Sequence, residues 1–290
     1  MDPRVMDPDA LTFVLPGGSN LWNLDSRITK ALKKTLQVSK PTLVQSQVVP
    51  LVLEGKDVLV RSKTGTGKTL AFLLPLVQKI LSSKSTSAAA AAGNKTGAII
   101  LVPTKDLCFQ VEDTLKKLLY YCSSTVSVAN LAGVSDVKTC TADICVSTPG
   151  RLCELLRFDP DLFKNEIDTL VVDECDLVLQ FGCEQDVRLI CSRISRTCQG
   201  ILCSATLDND LVQTLKKIVL NDPVTIKLMD GDSEGEGETG SQELATIKQW
   251  YLSVPTSKDK DLILFSLLKL GLVVGKTLFF VNSIDRGVLT

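Results

Sequence analysis

The sequence contains no histidine. That absence removes mixed Cys/His zinc sites, H-E-x-x-H metalloproteases and every triad built on an imidazole. Its ten cysteines run from Cys108 to Cys203 without one C-x-x-C pair, so no spacing supports a cysteine-only metal site. Most, such as Cys145 and Cys203, sit inside apolar runs, where a reduced thiol behaves as a small core hydrophobe. Long apolar stretches are lacking too. The run from Leu70 to Val77 is far short of a membrane span and holds a proline, and Met1-Asp2-Pro3-Arg4 leads into no sustained apolar region. A soluble intracellular protein with no membrane partner is expected. Nor does either charge dominate. A net charge of −1 argues mildly against a nucleic-acid binder, but it hides an asymmetry, because Asp230, Asp232, Glu234, Glu236, Glu238 and Glu243 crowd one Gly-rich stretch.

What is present is an ordinary globular composition, 290 residues with 44% hydrophobic, giving room for one large domain or two small ones. The most informative stretch is Ser62-Lys63-Thr64-Gly65-Thr66-Gly67-Lys68-Thr69, just after the apolar run Asp57-Val58-Leu59-Val60. A loop of this kind turns its backbone N–H groups inward around phosphates. Lys68 reaches the β and γ phosphates, and the Thr69 hydroxyl can ligate Mg²⁺. A nucleoside triphosphate is the expected ligand, although Ser62 stands where the strict pattern has its first glycine. A chance Gly-Lys-Thr in a loop is common, so a second motif is needed.

Leu170-Val171-Val172-Asp173-Glu174-Cys175-Asp176 supplies it. The apolar residues suit a buried parallel strand, and the acids emerge at its carboxyl edge, where ligands bind in open α/β sheets. Asp173 is placed to hold Mg²⁺ through water, and Glu174 to orient or deprotonate an attacking water. Helix capping is the competing explanation and accounts for Asp176. It does not account for two adjacent carboxylates at a strand end beside a phosphate loop, so hydrolysis is implied as well as binding.

Along the chain, residues 24 to 38 read as an amphipathic helix capped by Asp25 or Ser26, with Ile28, Leu32 and Leu36 on its apolar face. A short helix is expected after Pro41-Thr42. Strand-like runs follow at Asp57 to Val60, Ala98 to Val102, Thr125 to Ala129, Asp143 to Ser147, Thr169 to Asp173, Gly200 to Ser204 and Val224 to Leu228. Helical patterns separate several of them, which predicts an α/β fold with a parallel sheet covered on both faces. The stretch Ser82 to Lys95, with five successive alanines, reads as a surface insertion or as an extension of the preceding helix. Residues 229 to 243 read as a flexible linker. Beyond it come Thr246 to Val254, a helix Lys258 to Lys269 and a buried strand Thr277 to Val281.

The order of these motifs resembles the DEAD-box RNA helicases from about Trp22 to the end. Lys40-Pro41-Thr42-Leu43-Val44-Gln45 is similar to the family's adenine-reading motif, with Gln45 as the amide that pairs with the base edge. Trp22 is the nearest counterpart of its upstream aromatic. Ser62 to Thr69 matches the family's phosphate loop, in which a small residue other than glycine is usual at the first position. Asp173-Glu174-Cys175-Asp176 matches the naming tetrad with Cys175 for alanine. Ser204-Ala205-Thr206 matches the motif that links hydrolysis to strand separation, which gives Ser204 and Thr206 that role alongside Lys68, Asp173, Glu174 and Asp176.

The RNA-facing motifs are present with departures. Pro103-Thr104-Lys105-Asp106-Leu107 resembles P-T-R-E-L, and its lysine cannot grip phosphate bidentately. Ala132-Gly133 stands for a glycine pair, and Thr148-Pro149-Gly150-Arg151 matches fully. The resemblance implies sugar-phosphate contacts by Pro103, Thr104, Lys105, Gly133, Thr148, Pro149, Gly150 and Arg151, hence RNA binding without sequence reading. Taken singly, these segments could be plain loop turns.

The family fold is RecA-like. It implies an N-terminal extension over 1–20, a first RecA-like domain over 21–228, a linker over 229–245 and the incomplete start of a second RecA-like domain over 246–290. ATP and Mg²⁺ are the implied cofactors, and RNA is the implied partner. Gly275 to Ser283, with Phe181-Gly182, resembles the nucleolar branch that assists large-ribosomal-subunit assembly, which implies a nuclear, nucleolar location and pre-ribosomal particles as partners. The arginines that complete the family's ATP site belong to the second domain, so little turnover is expected from this chain alone. Two other readings stay open: a nucleotide-holding RNA or assembly-factor binding module without turnover, and a different P-loop NTPase.

Overall fold

The computed structural model describes residues 21–85, 96–133, 142–163, 167–205, 210–228, 250–254, 256 and 259–281, with only the backbone of 210 and 211. The alanine run, the linker 229–245 and Thr206 lie outside the described residues. The chain divides into two compact units, Met1–Met229 and Asp230–Thr290.

In the first unit, seven strands form one parallel sheet: β1 (Val58–Arg61), β2 (Ala98–Leu101), β3 (Val128–Asn130), β4 (Ile144–Ser147), β5 (Thr169–Val172), β6 (Gln199–Ser204) and β7 (Val224–Lys227). Their order across the sheet is β3-β4-β2-β5-β6-β1-β7. The helices are α1 (Ser26–Lys34), α2 (Leu43–Leu53), α3 (Lys68–Lys84), α4 (Lys105–Leu118), α5 (Pro149–Phe158), α6 (Cys175–Gln180), α7 (Glu184–Arg193) and α8 (Asp210–Val219). Side chains alternate across a strand, so each strand feeds two cores. Val58, Val60, Ile100, Val171 and Ile201 pack with α1 to α4 on one face, while Leu59, Ile99, Leu101, Leu170, Val172 and Leu202 pack with α5 to α8 on the other. The expected α/β sheet with helices on both faces is what the chain forms.

Register brings the carboxyl ends of five strands level. Leu101 pairs with both Ser147 and Val172, Val172 pairs with Leu202, and Val60 pairs with Cys203. The residue following each strand therefore emerges at one edge.

Three expectations need correction. The first helix stops at Lys34 instead of residue 38, because Gln37 takes a left-handed φ of 56° and the Val38 N–H turns back to the Leu32 carbonyl at 2.9 Å. Strand β3 begins at Val128 instead of Thr125. Ser127 is bound by the Asp143 carboxylate through its N–H at 2.7 Å and its hydroxyl at 2.8 Å, so regular pairing starts only after it. The third concerns the second unit. Its helix α9 (Asp259–Lys269) forms without a single buried residue, and Thr277 to Val281 is neither a strand nor buried. A strand exists only through a neighbour that takes up its backbone hydrogen bonds, and none pairs with it among the described residues.

Candidate nucleotide and RNA site

The phosphate loop leaves β1 and enters α3 through Gly67, whose φ of 94° lies in the left-handed region. A Cβ there would stand 2.5 Å from Gln45 Nε2 and 3.1 Å from Thr42 Oγ1, so only glycine fits in both conformation and space. The close approach comes from α2, whose Thr42 and Gln45 form a capping box. The Gln45 Oε1 accepts from the Thr42 N–H at 3.0 Å and its Nε2 donates to the Gly67 carbonyl at 3.1 Å. Gln45 is thus buried and touches the phosphate loop directly, a coupling not evident from spacing. One amide hydrogen and one oxygen lone pair remain for a base edge.

Gly67→Ala is expected to destabilise the chain by at least about 1–2 kcal/mol, the cost of a left-handed alanine, and to weaken nucleotide binding in parallel. A thermal melt and an ATP titration that both match the unaltered chain would refute this.

Within the loop, the Lys68 ammonium donates to the Ser62 carbonyl and, at 2.7 Å, to the Lys63 carbonyl. The Ser62 and Thr66 hydroxyls share a hydrogen bond, and Thr66 also donates to the Lys63 carbonyl at 2.9 Å. Ser62, far from a defect, closes the loop on itself. Its N–H binds the Ser204 carbonyl at 3.1 Å, joining this loop to the end of β6.

Asp173 follows β5 at the same edge, its N–H on the Leu101 carbonyl at 2.9 Å. It is buried, and burial raises its carboxyl from 3.8 to about 6, against the Glu174 N–H bond at 2.9 Å and the nearby Lys68 charge, which lower it. Glu174 adopts φ 48°, a costly backbone for a residue other than glycine, and it is the N-cap of α6 without a side-chain cap bond. Its carboxylate is therefore not spent on the helix. Cys175 is fully buried, its thiol pushed up to about 12 by burial and hydrogen-bonded with Ser204. The cysteine that replaces alanine thus ties the tetrad to the segment after β6. Asp176 is buried in the first turn of α6.

These pieces line one cleft of about 360 Å³, walled by Thr64, Gly65, Gly67, Lys68, Thr69, Asp173 and Glu174 on one side and by Leu107, Gln110 and Thr114 of α4 on the other. Two larger hollows, about 530 and 420 Å³, lie around Asp57, Arg196 and Cys198 at the opposite, amino edge of the sheet. Parallel sheets bind ligands at the carboxyl edge, and of these three it is the smallest cleft that joins a phosphate loop to carboxylates. Its donor set fits a magnesium ion, which takes one or two protein oxygens and keeps several waters. A buried carboxylate with one N–H bond is an electrostatic cost that a cation would relieve. No group of three or more His, Cys, Asp or Glu among the described residues could hold a metal by itself.

The candidate RNA residues lie along the same edge. Thr104 caps α4 by accepting the Leu107 N–H at 3.3 Å, and Thr148 caps α5 by accepting the Arg151 N–H at 3.4 Å, with Pro149 in the first turn. Both hydroxyls serve helix starts, which leaves two helix N-termini, each a natural phosphate site, at one edge. Arg151 is half-buried. It donates to the Leu131 carbonyl at 3.4 Å and pairs with Glu154 at 2.9 Å, so it also holds the segment leading to Gly133. Pro103 is buried and Lys105 exposed. Trp22 packs on the core beside α1 and does not line the cleft.

A family model described as DEAD/DEAH box helicase matches residues 42–215. The chain belongs to the DEAD/DEAH box helicase family. Other members of this family include the probable ATP-dependent RNA helicase ddx56 of Dictyostelium discoideum, 40% identical over 91% of this chain and 37% of that protein. DEAD-box ATP-dependent RNA helicase 16 of Arabidopsis thaliana is 38% identical over 91% of this chain and 42% of its own length. The chain spans about two fifths of these relatives. A solved DEAD box protein from Methanococcus jannaschii superposes with a TM-score of 0.61 at 27% identity, covering 85% of this chain and 62% of that one. The DEAD-box helicase Mss116 bound to ssRNA and UDP-BeF gives 0.62 at 29% identity, covering 71% and 44%.

Proposed function

We propose that this chain is the ATP-binding part of an ATP-dependent RNA helicase, an RNA-stimulated ATPase that remodels RNA or RNA–protein complexes. The observation that carries the reading is the single cleft in which Lys68 and Asp173 interact, bordered along one sheet edge by the capped starts of α4 and α5. Lys68 exchanges its two loop carbonyls for the β and γ phosphates. Thr69 and, through water, Asp173 would hold Mg²⁺, which would supply charge neutralisation at the phosphates. Glu174 orients the attacking water, Gln45 reads adenine, and Ser204, Thr206 and Asp176 relay between this site and RNA.

In the same reading, 21–228 is a first RecA-like domain, 229–245 a linker and 246–290 the beginning of a second. The resemblance of Gly275 to Ser283, with Phe181-Gly182, supports a nucleolar role in ribosome biogenesis, on pre-ribosomal particles.

The test is RNA binding by the chain with ATP and Mg²⁺ over a salt series. Affinity should fall steeply with salt and depend on base composition only modestly, with no single sequence strongly preferred. Arg151→Ala should weaken every sequence equally and reduce the salt slope by about one. Strong preference for one sequence, or indifference to salt, would defeat the reading.

A further inference from the structure

The backbone contacts above leave Phe109 without a role. It sits in α4, the helix that begins at Lys105, and is 47% exposed. Lys105 and Phe109 are four residues apart and both exposed, so they share one face of the helix. Across from them lies the Ala132-Gly133 segment. A Cβ on Gly133 would stand 3.6 Å from Phe109 Cζ and 3.9 Å from Cε1, so the ring edge rests against the bare Gly133 backbone.

That segment is held from two sides. Asn130 donates to Glu112 of the same helix at 2.8 Å and accepts the Ala132 N–H at 3.1 Å, while Arg151 donates to the Leu131 carbonyl. The result is a fixed shelf on which a cation, an aromatic ring and a bare glycine backbone neighbour one another. Single-stranded nucleic acid is gripped by this combination, phosphate on cationic groups and N–H, bases stacked on rings. Phe109 is not among the hydrophobic residues packed against either core.

We propose that Phe109 is a stacking contact for one nucleobase of single-stranded RNA, placed beside the phosphate grip of Lys105 and Gly133. The inference rests on the RNA-binding reading. Stacking is tolerant of sequence, because every base has a π-face, so it is compatible with binding that reads no sequence. It adds a part of the affinity that salt does not remove and that favours the larger purine face.

The experiment uses the full 290-residue chain with ATP and Mg²⁺, and decamers of adenylate and uridylate. Phe109→Ala should weaken oligoadenylate binding roughly tenfold, the usual range for loss of one stacked base being about five- to hundredfold. It should weaken oligouridylate less, leave the salt slope unchanged and leave ATP affinity unchanged. Phe109→Tyr should restore binding. In Phe109→Trp, RNA should quench the emission of the new indole, after subtraction of the signal from Trp22 and Trp250. A loss below twofold in Phe109→Ala, or no quenching in Phe109→Trp, would overturn the inference while RNA binding itself stands. If the unaltered chain bound neither decamer, the RNA reading would fall and this inference with it.

Discussion

Lys68→Ala is expected to lower the affinity for ATP with Mg²⁺ by about a hundredfold or more. Hydrogen bonds to a charged partner are each worth about 1.5–3 kcal/mol, and Lys68 is positioned to offer more than one to the phosphates. In the ligand-free chain its ammonium rests on the Ser62 and Lys63 carbonyls. The loop does not depend on it wholly, since Thr66 also donates to Lys63 and Ser62 is joined to both Thr66 and Ser204. The variant should therefore fold, with a melting temperature only slightly reduced. Calorimetric titration with ATP decides the matter. An unchanged binding curve would remove the phosphate loop from the mechanism.

Asp173→Asn should separate stability from function. In metal-free buffer the buried carboxyl has its pKa raised from 3.8 to about 6, with burial as the main cause. A group whose folded pKa is raised stabilises the fold when protonated. That contribution is complete below about 4 and is lost as pH rises through about 6. By pH 7.5 the ionised form costs about 3 kcal/mol relative to the protonated one. Asparagine keeps an oxygen for the Glu174 N–H and carries no charge, so the variant should melt several degrees higher at pH 7.5, taking about 2–4 °C per kcal/mol. The gain should shrink towards pH 5. Over the same comparison, the increase in ATP affinity that Mg²⁺ gives should disappear. Equal melting temperatures at pH 7.5, or an intact magnesium effect, would contradict the role given to Asp173.

Much of this site is legible in one dimension, because its parts are local. The phosphate loop, the acids after β5 and the Thr-capped starts of α2, α4 and α5 are each one turn's worth of chain, governed by side chains two or three residues apart. Strand positions were readable to within a few residues for the same reason: an apolar run between turn signals has few other uses. What failed was what depends on distant partners. The start of β3 is set by Asp143, sixteen residues away from Ser127. The apolar run Thr277 to Val281 has a strand's composition but no neighbour among the described residues to make it one.

The sequence by itself determined the kind of fold, the edge at which the candidate site lies and the types of group that line it, since periodicity and short motifs are written residue by residue. Only the tertiary structure decided which of those groups meet. Parallel register brings Ser62 to Ser204 and Asp173 to Leu101, and helix packing presses Gln45 against Gly67 and Phe109 against Gly133. Those pairs are separated by 22 to 142 residues in the chain, and each exists because strands from different parts of the chain lie side by side, a choice made by burying two apolar faces at once.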